Sequence, residues 1–210
     1  MSVRLVDTED GLGLVDDEAP ELSPLVLDLT SPRKLGKADD LVRALGRDKG
    51  IVSVFDCTAG LGRDALALSA VGFHVVTCER SPLLQQLWAD ALERAGPLPR
   101  LRFIEGDAVD LLEQLRGTDD APDAVYLDPM YPHEGPRKAL QQREMRLLRA
   151  AVGGGDDVEA LFAAAMATAK KRVVVKRPKK APTIAGAVPT HTWMGVSTRF
   201  DLFSVVRPSG

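Results

Sequence analysis

Residues 51–65 read IVSVFDCTAGLGRDA, and the change of character within this stretch decides the fold. Ile51 to Phe55 is a short continuous apolar run, the pattern of a strand buried on both faces. It stops at Asp56. Gly60, Gly62 and Ala65 then supply a G-x-G-x-x-A turn, and RDALALSAVG continues as a helix that Gly72 ends. Working outward, the same alternation recurs. FHVVTCE (73–79), LRFIEG (101–106), DAVYLD (123–128) and RVVVKR (172–177) read as strands. PLLQQLWADALERAG, AVDLLEQLRG, PRKALQQREMRLLRAAVGG and DVEALFAAAMATAK read as helices, the first with Ser81 as N-cap and Pro82 as its first residue. Repeated strand–helix units imply an α/β fold with a doubly wound, mostly parallel sheet. HTWMGVSTRFDLFSVV closes the chain with the alternation of an antiparallel hairpin. Before this domain, assigned to residues 33–210 and opening with a short helix near 37–46, residues 1–32 read as a small β extension with strands at VRLVDT and LVLDL.

Bulk properties narrow the function classes. The 210 residues carry 27 Lys and Arg against 30 Asp and Glu, a net charge of −3 that gives no general case for nucleic-acid binding. No apolar run reaches the roughly 20 residues that span a bilayer, and the acidic start MSVRLVDTEDG lacks a signal-peptide pattern. A cytoplasmic monomer is expected. Cys57 and Cys78 lie in apolar strand-like surroundings without a CxxC pair, so free thiols and no metal are expected. The charge is uneven. Residues 1–28 hold eight acids against Arg4, whereas KKRVVVKRPKK (170–180) holds seven cations and no anion.

In a doubly wound sheet, ligands bind outside the carboxyl ends of the strands, so the residues ending each strand carry most weight. Read alone, the Gly60–Gly62 turn is a weak signal. Asp56 before it and Asp64 in the following helical turn repel a pyrophosphate and suit a cationic ligand, which favours S-adenosylmethionine over NAD. Glu79 ends the second strand and can accept from both ribose hydroxyls. Asp107 follows the third strand. It can take the adenine amino group, and equally it can cap the helix AVDLLEQL.

The fourth strand ends at Asp128 in VYLDPMYPH (125–133). DPMY resembles the (D/N)-P-P-(Y/F) signature of amino-group methyltransferases, with Met130 where the signature has a second Pro. The chemistry explains the residue types. An exocyclic base amine is a poor nucleophile because its lone pair is delocalised into the ring. The Asp128 carboxylate and the Pro129 carbonyl can accept its two hydrogens and aim the lone pair. Tyr131 offers a face for the base, a contact worth about 1–3 kcal/mol, and Pro129 and Pro132 stiffen the loop. His133 is a candidate proton acceptor. Lys176, Arg177, Lys179 and Lys180 after the fifth strand, and Arg137, Lys138, Arg143, Arg146 and Arg149 along the helix after the loop, are candidate phosphate contacts or solvated charge. Trp193 and Phe200 read as hairpin or core packing.

GRDALALSAVGFHVVTCERSP, VYLDPMYPH, KALQQREMRLLR, KRVVVKRPKKAP and STRFDLF, in this order over roughly residues 33–206, resemble the small-subunit ribosomal RNA methyltransferase J family. The resemblance implies a class I methyltransferase fold and methylation of a guanine N2 in small-subunit ribosomal RNA, free or in an assembled subunit. It implies cofactor contacts at Arg63, Asp64, Glu79, Arg80, Asp107, Ala108 and Asp128. The competing readings are an amino-group methyltransferase acting on DNA, protein or a small molecule, a non-catalytic RNA-binding assembly factor, and a NAD-dependent oxidoreductase.

Overall fold

The computed structural model describes residues 3–19, 21–36, 38–130, 139–153 and 158–206. The chain begins with an antiparallel three-stranded sheet of β1 (Val3–Thr8), β2 (Gly11–Asp16) and β3 (Leu25–Val26), in that order. Helix α1 (Asp40–Leu45) follows, capped by the Asp39 carboxylate, which accepts from Leu41 N–H. The strand–helix units are β4 (Ser53–Asp56), α2 (Arg63–Ala70), β5 (His74–Glu79), α3 (Pro82–Ala95), β6 (Leu101–Glu105), α4 (Ala108–Leu115) and β7 (Ala124–Leu127). Then come α5 (Ala139–Val152), α6 (Val158–Thr168), β8 (Arg172–Pro178), β9 (His191–Met194) and β10 (Thr198–Ser204).

The main sheet has the order β6-β5-β4-β7-β8-β10-β9. The first five are parallel neighbours, and β10 and β9 are antiparallel. The chain leaves β4 toward β5 and β6, then returns to the other side of β4 for β7 and β8. Strand order therefore reverses between β4 and β7, where Asp56 pairs in register with Tyr126. A crevice opens at such a reversal because the connections on either side lead away from it.

The central strands are apolar because both their faces are covered. Val54, Tyr126 and Val174 point into one core cluster with residues of α1, α2 and α3, while Phe55, Val125, Leu127, Val173 and Val175 point into the other with α4 and α6. This is the two-residue alternation of a strand, with both faces buried. Leu14, Leu27 and Leu29 from the N-terminal segment belong to the first cluster, so the small sheet helps to close that face. Strand β2 is the element the sequence pattern does not show. GLGLVD has two glycines and weak alternation, yet it is the middle strand of its sheet and buries Leu14 and Val15.

The glycine turn after β4 is fastened to α3. Trp88 is fully buried, stacks on Phe103 at 4.6 Å and donates its Nε1–H to the Gly60 carbonyl at 3.0 Å. Gly62 has φ +69°, and a Cβ there would lie 2.7 Å from Trp88 Cζ2. Gly62→Ala therefore combines left-handed strain, of order 1–3 kcal/mol, with a clash that a buried indole cannot relieve. We expect the variant to lose at least about 2 kcal/mol of unfolding free energy in urea titrations. A midpoint equal to the parent's would show that the turn is not held as described.

Candidate functional site

At the reversal point, the structure has a cleft of about 1370 Å³, larger than the roughly 300–1,000 Å³ usual for one small ligand. Its walls come from the ends of β4, β5, β7 and β8, the residues after β6, the glycine turn, and the β9–β10 hairpin. Asp56, Gly60, Arg63 and Asp64 line it, as do Glu79, Arg80, Asp107, Ala108, Asp128 and Pro129. Gly62 stands behind the wall against Trp88. Tyr131, Pro132, His133, Arg137 and Lys138 lie outside the described residues.

Glu79 ends β5 almost completely buried. Its Oε1 accepts from the backbone N–H of Arg80 and of Ser81, each at 2.9 Å, and its Oε2 accepts from Gly60 N–H at 3.3 Å. Burial pushes its pKa above the ordinary glutamate value, against the pull of these three donors. The carboxylate thus ties the end of β5 to the glycine turn of β4. Asp107 caps α4 by accepting from Val109 N–H at 2.8 Å, while its other oxygen faces Arg80 at 3.7 Å. Ser81 precedes α3 without capping it. Its hydroxyl donates instead to the Ala151 carbonyl of α5 at 2.6 Å.

Three carboxylates gather around the end of β7, and two of them share one ammonium. Lys176 Nζ donates to Asp64 Oδ2 at 2.9 Å and to Asp128 Oδ2 at 2.8 Å. Tyr126, fully buried in β7, donates its hydroxyl to the same Asp64 oxygen at 2.8 Å, and Arg33 reaches Asp64 Oδ1 at 3.4 Å. Thr58 links the other two acids. Its Oγ1 accepts from Asp128 N–H at 2.9 Å and donates to Asp56 Oδ1 at 3.1 Å. Burial pushes the Asp56 pKa up to about 7, and the nearby Asp64 and Asp128 charges add to it. Burial also works against the charge on Asp64, but Lys176, Tyr126 and Arg33 outweigh it and hold its pKa below the ordinary value. Asp128 goes the other way. Burial raises it, Lys176 pulls it back, and Asp64 raises it again.

Strand β8 runs one residue past the expected 172–177, to Pro178, paired with β10 but no longer with β7, and Lys176 and Arg177 lie within it. Lys176 is ion-paired inside the cleft, and Arg177 is 3% exposed. Lys179 and Lys180 do stand exposed at the rim. On α5, Arg146 pairs with the buried Asp16 of β2 at 2.9 Å, and Arg143 donates to the Ser23 carbonyl. These two cations hold the acidic N-terminal segment. Cys57 and Cys78 are free and buried, and burial pushes both thiols well up.

Three residues of this network are not singled out by the sequence. Tyr126 had a signal: a tyrosine in a strand buried on both faces must find a partner for its hydroxyl. Thr58 and Arg33 had none, because their partners are 70 and 31 residues away.

The SAM_MT family, "Putative SAM-dependent methyltransferase", matches residues 1–205. Ribosomal RNA small subunit methyltransferase J of Thioalkalivibrio sulfidiphilus is 40% identical over 210 residues, covering 91% of this chain and 80% of that protein. Its namesake from Ectopseudomonas mendocina is 43% identical over 176 residues, covering 80% of this chain and 66% of that protein. This chain thus spans just under two thirds of the latter's length. The crystal structure of a SAM-dependent methyltransferase from Neisseria gonorrhoeae superposes with a TM-score of 0.77 at 32% identity, covering 99% of this chain and 85% of that one. The chain belongs to the ribosomal RNA small subunit methyltransferase J family, within the SAM-dependent methyltransferases.

The raised pKa of Asp56 has a measurable consequence. Unfolded, the carboxyl ionises near 3.8; folded, near 7. Between these values the folded protein holds a proton that the unfolded chain has lost, so this group makes stability fall as pH rises from about 4 to about 7. Asp56→Asn keeps an oxygen for Thr58 and removes the titration. The stability of the variant relative to the ligand-free parent should rise across that window and level off above it. A difference that stays flat from pH 4 to 8 in denaturant titrations would rule the assignment out.

Proposed function

We propose that this chain, as a member of the methyltransferase J family, methylates the exocyclic N2 amine of a guanine in small-subunit ribosomal RNA, with S-adenosylmethionine as methyl donor. The observation that carries the reading is Asp128-Pro129 at the end of β7, inside the cleft that Asp56, Gly60, Glu79 and Asp107 also line. The relatives' name supplies the substrate class. The reading takes the protein to act as a monomer in the cytoplasm, where bacterial ribosomal RNA is made.

The donor set fits a cationic nucleoside. Asp56, Asp64 and Asp128 outnumber the Lys176 and Arg33 cations that meet them in the cleft, while Glu79 and Asp107 offer acceptors to hydroxyls and to an amine. S-adenosylmethionine, when bound, supplies a methyl group on a sulfonium that leaves as a neutral thioether. Glu79 would take the ribose and Asp107 the adenine edge, with Arg63, Arg80 and Ala108 beside them. Asp128 Oδ2 is held by Lys176, and among the described residues Oδ1 carries no hydrogen bond. That oxygen and the Pro129 carbonyl would accept the two hydrogens of the target amine. Two acceptors draw the nitrogen toward a tetrahedral shape and direct its lone pair. Tyr131 would stack on the base. Lys179 and Lys180 at the rim, with Arg137 and Lys138, would meet phosphates.

The biological test is nucleoside analysis of ribosomal RNA from cells with and without the gene. Loss of N2-methylguanosine from the small-subunit RNA is expected; an unchanged nucleoside profile would refute the substrate. In vitro, Asp128→Ala should slow single-turnover transfer by about 10²–10³-fold with little change in RNA or cofactor affinity, because an orienting bond made mainly in the transition state alters turnover. Asp128→Asn, which keeps one acceptor oxygen, should retain partial activity. Transfer by Asp128→Ala near the parent rate would reduce the loop to a turn. Replacing Lys179 and Lys180 together by Ala should flatten the salt dependence of RNA binding by about 0.7–0.9 in log–log slope for each phosphate no longer neutralised. An unaltered slope would return both to solvated charge.

A further inference from the structure

We propose that Lys176 is a positioning residue for the methyl transfer: it fixes the rotamer and the charge of Asp128 so that Oδ1 is presented to the target amine. The inference rests on the functional reading above and gives Lys176 a task different from phosphate binding.

The geometry carries it. The Lys176 ammonium lies 2.8 Å from Asp128 Oδ2 and 2.9 Å from Asp64 Oδ2. The backbone N–H of Asp128 is fixed by Thr58 Oγ1 at 2.9 Å. One carboxylate oxygen and the main chain are therefore both clamped, and the remaining oxygen is the one left for a ligand. Asp64 is the anchor of the arrangement. It is held by Tyr126 and Arg33 as well as by Lys176, so the ammonium is seated between a fixed acid and the working one. Lys176 itself is three-quarters buried by side-chain area, which makes it a poor phosphate ligand without breaking both ion pairs.

The charge argument has the same direction. Asp128 accepts a hydrogen from the amine more strongly as an anion, yet it sits where burial and the neighbouring Asp64 favour its neutral form. The groups facing it are Asp64 on α2, Lys176 on β8, Thr58 after β4, and beyond these Asp56 on β4 and Tyr126 on β7. Lys176 is the cation of this set in contact with Asp128. Asp128 and Asp64 in turn keep Lys176 protonated, well above its ordinary range and against its burial. Without the ammonium, the carboxyl holds its proton to higher pH. A neutral acid in that place is a weaker acceptor than the anion, and with its proton on Oδ1 it would oppose the amine hydrogen.

The experiment compares the parent with Lys176→Met and Lys176→Arg in single-turnover transfer to small-subunit RNA across pH 5.5 to 9, with RNA affinity measured at several salt concentrations. Lys176→Met should lose at least about tenfold in rate near pH 7.5 and shift the acid limb of the rate profile up by about one pH unit, a shift worth 1.36 kcal/mol of lost stabilisation of the anion. RNA affinity and its salt slope should stay as in the parent. Lys176→Arg keeps the charge and should keep the limb near its parental position, with a smaller loss of rate. The same measurements on the Asp56→Asn background, each rate referred to that background's own profile, separate out the Asp56 titration near 7. Should Lys176→Met fail to fold, Lys176→Gln removes the charge while retaining a donor and must show the same displaced limb. An acid limb that stays in place without the charge overturns the proposal, as does a salt slope reduced by the increment of one phosphate, which would make Lys176 a phosphate ligand. A parent that transfers no methyl group to small-subunit RNA fails the functional reading instead, so the two failures are separable.

Discussion

The cost of gathering carboxylates at one place governs this structure. A parallel sheet brings the carboxyl ends of neighbouring strands together, and the order reversal between β4 and β7 leaves that edge open. Asp56 and Asp128 sit at those two ends, and Asp64 enters from the first turn of α2. Charges of like sign at contact distances repel by a few kcal/mol even at an effective dielectric near 20, and burial adds to the penalty. The surrounding residues answer that cost one by one. Lys176 divides its ammonium between two acids, the Tyr126 hydroxyl and Arg33 turn to Asp64, and Thr58 bridges Asp56 to the Asp128 backbone. Asp56 is the acid left without a cation, and it is the one pushed to a pKa of about 7. The balance stays negative, which suits a ligand bearing positive charge and opposes a pyrophosphate.

The glycine turn shows how tightly the site is built into the fold. Glu79 accepts from Gly60 and from the first two residues after β5, while the Gly60 carbonyl takes the indole N–H of Trp88. One carboxylate and one ring thus fix the turn from opposite sides. Glu79 therefore does two jobs in this reading. Any ribose it holds is held by an acid already pre-organised by three backbone donors, so little ordering entropy is lost on binding.

Much of this was legible before the fold was seen. Apolar runs ending in Asp56, Glu79 and Asp128 mark buried parallel strands, since nothing else buries a run on both faces and then stops it with an acid. Strand β2 was not legible, because its pairing with β1 and its burial of Leu14 and Val15 are tertiary facts that two glycines hide. The basic residues misled for a related reason. Local sequence shows how many cations a segment holds but not what they meet: β8 ends within one residue of the expected strand, whereas the pairing of Lys176 with Asp64 and Asp128 is a tertiary fact. Arg143 and Arg146 carry no local sign that Ser23 and Asp16, more than a hundred residues earlier, will claim them.

That placement changes what the proposed RNA recognition can rest on. Among the described cations lining the cleft, Arg33, Arg63, Arg80 and Lys176 each face a carboxylate. Lys179 and Lys180 are exposed there and carry no ion pair among the described residues. With Arg137 and Lys138 counted beside them, as proposed, four phosphate contacts give a log–log salt slope of roughly 2.8–3.6, still short of proteins that neutralise about six to ten phosphates. The net charge of −3 adds a weak general repulsion. On the proposed reading, a general pull on the backbone supplies only part of the affinity, and the rest comes from contacts that depend on the base itself: a stacking face, worth about 1–3 kcal/mol, and the paired acceptors at Asp128 and Pro129. In such a site, discrimination and catalysis share the same atoms. A base without an exocyclic amine at that edge would leave the Asp128 oxygen unpaired, and the desolvation cost of that oxygen would count against it.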